Sequence, residues 1–123
     1  MTSSSRLSKI FKRYQATFSD FAGIELKDIN QKGLGGDCLI HVAAYHLELD
    51  DIQLLVNHGA NVNASGDIGL TALHLASARG HEQIVAYLLS EGADRELAND
   101  FEEKPIDWAI ASGNVEIIKI LSR

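Results

Sequence analysis

Five histidines, one cysteine and a glycine cluster are the residues of this 123-residue chain whose types invite chemistry. His81-Glu82-Gln83-Ile84-Val85 opens like a helical zinc-protease motif, in which two histidines four apart share a metal on one face. Val85 occupies the place of the second histidine, so no metal pair forms there. His41 and His46 are five residues apart, a spacing that points them away from each other on a helix. Gly33, Gly35 and Gly36 precede a helix start, where free backbone amides attract anions. The run lacks the lysine of a phosphate loop and follows no expected strand, so it reads as a flexible first loop. Cys38, the single cysteine, excludes an internal disulfide and fits a reducing, cytoplasmic setting. No basic neighbour is adjacent to lower its pKa, and it stands 33 residues before Thr71, where it reads as a small buried filler. The carboxylates are scattered and no Ser/His/Asp series has a supporting spacing. No catalytic residue, metal site or cofactor is expected.

The composition bounds what the remaining residues do. The length fits one domain with a real core, and 46% apolar residues is the share of an ordinary globular protein. No apolar run approaches the ~18 residues that span a bilayer. The net charge of −6 is unevenly spread. Residues 1–19 carry Arg6, Lys9, Lys12 and Arg13 and no acid, whereas residues 20–123 carry a net −10. An acidic body repels phosphate backbones, so nucleic acid is not an expected partner of residues 20–123. It attracts a basic protein and speeds encounter with it.

The elements that position these residues recur at a fixed spacing. Gly36-Asp37-Cys38-Leu39-Ile40-His41-Val42-Ala43, Gly69-Leu70-Thr71-Ala72-Leu73-His74-Leu75-Ala76 and Lys104-Pro105-Ile106-Asp107-Trp108-Ala109 stand in one 33-residue register. Such a period means stacked supersecondary units. They run 33–65, 66–98 and 99–123, the last truncated, after an N-terminal segment 1–32. In the second unit Thr71 caps a short helix, Gly80 permits a tight reversal, and Ile84, Val85, Leu88 and Leu89 carry a second helix at helical spacing. Gly92 ends that helix in a left-handed conformation. Residues 61–70 and 93–97 are left as projecting loops.

Thr71-Ala72-Leu73-His74-Leu75-Ala76, with Gly80-His81, Ile84-Val85, Leu88-Leu89 and Gly92-Ala93-Asp94, resembles the ankyrin repeat, whose signature is T-P-L-H-x-A at a period of 33. The resemblance covers about three quarters of the chain and implies an all-α solenoid of helix–turn–helix–loop units. It implies that His41 and His74 stabilise the loops by hydrogen bonds. Three departures stand out. Ala72 replaces the usual proline, which Pro105 retains. Leu47 stands where Gly80 and Gly113 stand, so the first turn is expected to be strained or differently built. Asp107 replaces the histidine, and Glu103, Lys119 and Ser122 replace Leu70, Ala86 and Leu89, the polar pattern of a solvent-facing last unit.

At the other end Leu7, Ile10, Phe11, Tyr14, Phe18 and Phe21 fall on one helical face. This stripe reads as a cap over the first repeat, with Ile24, Leu26 and Ile29-Asn30 as the tail of a degenerate repeat. The basic, Ser-rich, acid-free character of residues 1–21 also resembles a transit peptide or a helix lying on an anionic membrane. Its Phe and Tyr content favours the cap.

The family resemblance places binding on a concave face made of loop tips and the exposed edge of each first helix. By register these are Asp37, Tyr45 and His46; then Asp67, Ile68, Leu70, Ala78 and Arg79; then Asp100, Phe101, Glu103 and Ser112, with Glu102 adjoining and Trp108 close by. Apolar and aromatic anchors ringed by carboxylates are the anatomy of a protein interface. Leu70 and Trp108 read equally well as packing between neighbouring repeats. The expected function is non-catalytic binding of a basic protein partner, with no nucleic acid or membrane involved. Short ankyrin proteins include bacterial immunity proteins, so the alternative is an antitoxin that occludes a toxin's active site.

Overall fold

Thr71 begins the second helical pair as expected: its Oγ1 accepts the His74 backbone N–H at 3.3 Å. His81 Nδ1 accepts from Ile84 N at 3.2 Å, and Asn114 Oδ1 from Ile117 N at 3.3 Å. Each satisfies a donor that a helix start leaves free. The computed structural model describes residues 3–123. Its seven helices are α1 (Ser3–Thr17), α2 (Leu39–Tyr45), α3 (Leu49–Asn57), α4 (Ala72–Arg79), α5 (Glu82–Ser90), α6 (Pro105–Ser112) and α7 (Val115–Leu121), with two short 3₁₀ turns and no strand among the described residues.

The pairs α2–α3, α4–α5 and α6–α7 stack side by side. Helix α4 lies between α2 and α6, and α5 packs on α7. Leu39, Ile40, Ile52, Leu55, Leu73, Ile84, Leu88 and Ile117 are fully buried between them. Each contributes roughly 1.5–3 kcal/mol of apolar burial. The reversal inside each pair is left-handed at one register: Leu47 has φ 59°, Gly80 76° and Gly113 73°. The first turn is thus built like the other two, with a leucine bearing a strain that glycine avoids.

Buried histidines tie the helices to the loops. His41 Nδ1 accepts the Cys38 N–H at 2.9 Å, and its Nε2 lies 2.8 Å from the Ala64 carbonyl oxygen. His74 accepts from Thr71 N at 3.1 Å and faces the Glu103 carbonyl oxygen at 2.8 Å. Asp107 keeps the first half of this pattern, its Oδ2 accepting from Lys104 N at 2.8 Å. An ionised carboxylate has no proton for a following loop, and no described residue supplies such a loop there.

Loops repeat the same register. Asp28, Asn61 and Asp94 each accept the N–H two residues on, at 2.8, 2.9 and 2.9 Å. Asn30 and Asn63 reach across, donating to Gly59 O and Gly92 O at 3.2 and 3.0 Å. Asn30 therefore already behaves as a repeat residue.

Helix α1 packs on α3. Ile10, Tyr14 and Phe21 are buried and Leu7, Phe11 and Phe18 half-buried. Tyr14 Oη donates to Asp51 Oδ2 at 2.8 Å, and Arg13 pairs with the same carboxylate. Burial, reinforced by Asp51, pushes the Tyr14 hydroxyl far above the usual tyrosine range.

At the far end the polar pattern is incomplete. Lys119 and Ser122 are exposed, but so are Ile110, at 56%, and Val115, at 59%. Ile110 shares its register with Ser77, which is buried on α4, a helix packed between α2 and α6; nothing among the described residues lies beyond α6 and α7 to cover Ile110.

Candidate protein-binding face

The loop tips are formed by tight reversals. Gly66 N donates to Leu70 O at 2.8 Å and Asn99 N to Glu103 O at 2.8 Å. Between the first pair Ile68 and Gly69 both take positive φ, 49° and 75°, as a type I′ turn requires. For a β-branched residue this is a rare conformation, and it lifts the Ile68 side chain out of the loop. Glu102, at φ 62°, stands at the register of Gly69 and Gly36.

Neighbouring tips are stitched together. Leu34 N donates to Asp20 O at 2.7 Å and Asp100 N to Ile68 O at 2.9 Å. Asp67 N donates to Asp37 Oδ1 at 2.8 Å. The result is a row of apolar side chains facing water, with Leu34 71%, Ile68 38% and Phe101 67% exposed. Leu34 belongs to this row although sequence reasoning passed over it. A leucine framed by Gly33, Gly35 and Gly36 was the available signal, since no helix or core position demands it.

Carboxylates flank the row. Asp67, Asp100 and Glu102 are exposed, and none takes part in an ion pair among the described residues. Glu103 is different: its Oε1 accepts from Asn99 Nδ2 at 2.9 Å and Trp108 Nε1 at 3.2 Å. Trp108 also sits edge-on to His74 at 6.1 Å. Both are half-buried and bonded within the stack, and Leu70 is half-buried.

On the inner-helix edge Tyr45 is 49% exposed, with the Arg79 guanidinium 5.0 Å from its ring centre. His46 meets Tyr45 at 5.2 Å and Phe18 at 4.6 Å. Ala78 is half-buried and Ser112 exposed, its hydroxyl donating to Trp108 O at 2.9 Å. Phe18, Asp20, Asp37, Tyr45, His46 and Leu75 enclose a cavity of about 270 Å³. A wider groove of about 830 Å³ runs between α1 and α3. Arg6, Lys9 and Arg13 there face Asp50 and Asp51, so its charges offset one another.

The chemistry-bearing residues are otherwise engaged. Burial pushes the Cys38 thiol up, its Sγ donating to Asn30 O at 3.2 Å, which disfavours the reactive thiolate. Burial pushes both His41 and His74 below the usual imidazole range, against the opposing pull of the Ala64 and Glu103 carbonyls. Both are neutral structural groups.

The family model described as ankyrin repeats (three copies) matches residues 19–99 and 40–123. This chain belongs to the ankyrin repeat family. Among its relatives, protein phosphatase 1 regulatory subunit 27 of Mus musculus is 37% identical over 84 residues, covering 68% of this chain and 53% of that protein. Its Homo sapiens counterpart is 36% identical over the same length. B-cell lymphoma 3 protein homolog of Mus musculus is 39% identical over 98 residues, 80% of this chain and 21% of that protein. The chain thus spans about half the length of the regulatory subunit it resembles. Ankyrin repeats mediate protein–protein interaction, and no helix among the described residues is long and apolar enough to cross a membrane.

Proposed function

We propose that this ankyrin stack is a non-catalytic binding subunit that holds a basic protein on its loop tips and inner-helix edge. The observation that carries the reading is the row Leu34, Ile68 and Phe101, exposed on successive tips and flanked by the carboxylates Asp67, Asp100 and Glu102, which make no ion pair among the described residues. Apolar anchors at the centre supply affinity, and charges at the rim steer a partner of opposite sign. Arg79, held on Tyr45, and His46 border the same face. In this reading residues 1–32 close the stack, with repeats at 33–65, 66–98 and 99–123. A relative that is a regulatory subunit supports a subunit that acts by docking on another protein. The antitoxin alternative gains no support from these relatives. The free, buried Cys38 thiol suits the cytoplasm.

The test begins with the partner identified by affinity capture and then purified. Phe101→Ala should weaken binding by about 2 kcal/mol or more, mainly through faster dissociation. Asp67→Lys with Asp100→Lys should slow association and flatten its salt dependence. Rates at two salt concentrations separate these effects. Unchanged affinity in both variants would place the partner elsewhere on the molecule.

A further inference from the structure

The cavity beside Tyr45 has a chemistry of its own. Phe18 enters it from the end of the N-terminal cap, Tyr45 and His46 from the end of α2, and Leu75 from α4. Phe18 and His46 lie at 4.6 Å and Tyr45 and His46 at 5.2 Å, so one wall is a continuous run of rings. Asp20, Asp37, His41 and Val42 complete the lining. The positions of Asp20 and Asp37 are set by the loop between them: Leu34 N donates to Asp20 O and Gly33 N to Asp37 O, both at 2.7 Å.

Among the described residues no lysine or arginine lines the cavity. Asp20 makes no ion pair among the described residues; the Asp37 carboxylate accepts the Asp67 N–H at 2.8 Å, and the one titratable group within ion-pair reach of it among those residues is His41 Nδ1, at 4.0 Å. His41 also borders the cavity and, being buried and neutral, does not offset that charge. Two carboxylates therefore share a small aromatic-walled space with no lysine or arginine among its described lining residues. Its volume lies below the ~300 Å³ at which pockets for drug-sized ligands begin, which suits a single side chain. The Tyr45 ring already holds one cation of this chain, the Arg79 guanidinium 5.0 Å from its centre. Cations bind favourably over aromatic faces, and more so where a carboxylate completes the shell.

We infer that this cavity receives one lysine or arginine side chain of the protein partner, its alkyl stem against Phe18, Tyr45 and Leu75 and its charge on Asp20 and Asp37. The inference rests on the proposed binding of a basic protein and names the contact that selects its sequence. Asp20 and Phe18 come from the N-terminal cap, so recognition joins the cap to the first two repeats.

The probe is N-acetyl-arginine amide, titrated into the full chain and followed by amide chemical shifts, with N-acetyl-citrulline amide as its uncharged isostere. Saturable shifts centred on Tyr45, His46 and Leu75 are expected with the arginine probe and not with citrulline. Asp20→Asn with Asp37→Asn keeps an acceptor for the Asp67 N–H and should weaken binding of the probe about tenfold, the loss of charge-assisted contacts. Equal shifts from citrulline amide, or no shifts at all, would overturn the inference. Arginine shifts confined to Asp67 and Asp100 would also overturn it while leaving the acidic loop-tip face standing. If the cavity binds the probe but Phe101→Ala and the charge reversals leave the protein partner's affinity unchanged, the loop-tip reading fails alone.

Discussion

Glu102 occupies a conformation that its neighbours in register leave to glycine. Gly36, Gly69 and Glu102 all take positive φ, a region that costs a side-chain-bearing residue about 1–2 kcal/mol. Its side chain is exposed, and no ion pair among the described residues includes it. Glu102→Gly should therefore raise stability by about 1 kcal/mol, less the entropy that glycine adds to the unfolded chain; chemical denaturation of the two proteins measures it, and a loss would show that the carboxylate matters to the loop. Leu47 is the same case with a complication. Its φ of 59° is strained, but its side chain is half-buried against the core, so a glycine there gives up packing along with strain. Ser77 offers the opposite defect: it is fully buried and its hydroxyl has no hydrogen-bond partner. Ser77→Ala removes an unsatisfied group from a helix interior and should raise stability by about 1 kcal/mol. An unchanged or lower denaturation midpoint would mean that the hydroxyl has a partner after all.

At the scale of elements, α1 behaves as part of the stack. Ile10, Tyr14 and Phe21 are as buried as the repeat core, and Asp51 of α3 is bonded by both Tyr14 and Arg13. Deleting residues 1–21 strips these side chains from α2 and α3. At roughly 1.5–3 kcal/mol for each large apolar group, the loss threatens a domain whose total stability is about 5–15 kcal/mol. The truncated chain should aggregate or unfold at a much lower temperature. If it matches the full chain in thermal unfolding and solubility, the first 21 residues serve targeting or membrane attachment instead.

At the scale of the molecule, the helix-to-loop ties share a pH dependence. Burial holds His41 and His74 below their ordinary pKa in the folded state. Asp37 stands beside the first, and Glu103 and Asp107 near the second, pulling weakly the other way. In the unfolded chain both imidazoles take up a proton as the pH falls through about 6.5. The folded state resists that proton, so the stability these residues contribute is fully present above pH ~6.5 and declines below it. The thermal midpoint should fall between pH 7 and pH 5, and less steeply when His74 is replaced by Gln. A midpoint that is flat over this range would show that the two rings accept protons without disturbing their loops.

The 33-residue register, the cap at Thr71 and the reversals at Gly80 and Gly113 were legible in the residues; the family resemblance implied the loop ties of His41 and His74, and Leu47 in a glycine's place signalled a first turn either strained or differently built. The histidine ties reach carbonyls 23 and 29 positions on; the cap and the reversals depend on neighbours a few positions away, and repetition at a fixed spacing multiplies the signal. The apolar face of α1 was legible for the same reason. Much of the candidate face was not. Nothing along the chain says that Glu103 spends its carboxylate on Asn99 and Trp108, or that Phe18 and Asp20 reach the side of α2 where Tyr45 and His46 lie. Ser77 and Ile110 share a register, yet the polar one is buried and the apolar one exposed. Periodicity assigns a residue to a face of its own helix. Only stacking decides whether another helix covers that face, because burial is a property of the neighbours that arrive there and not of the repeat that carries the residue.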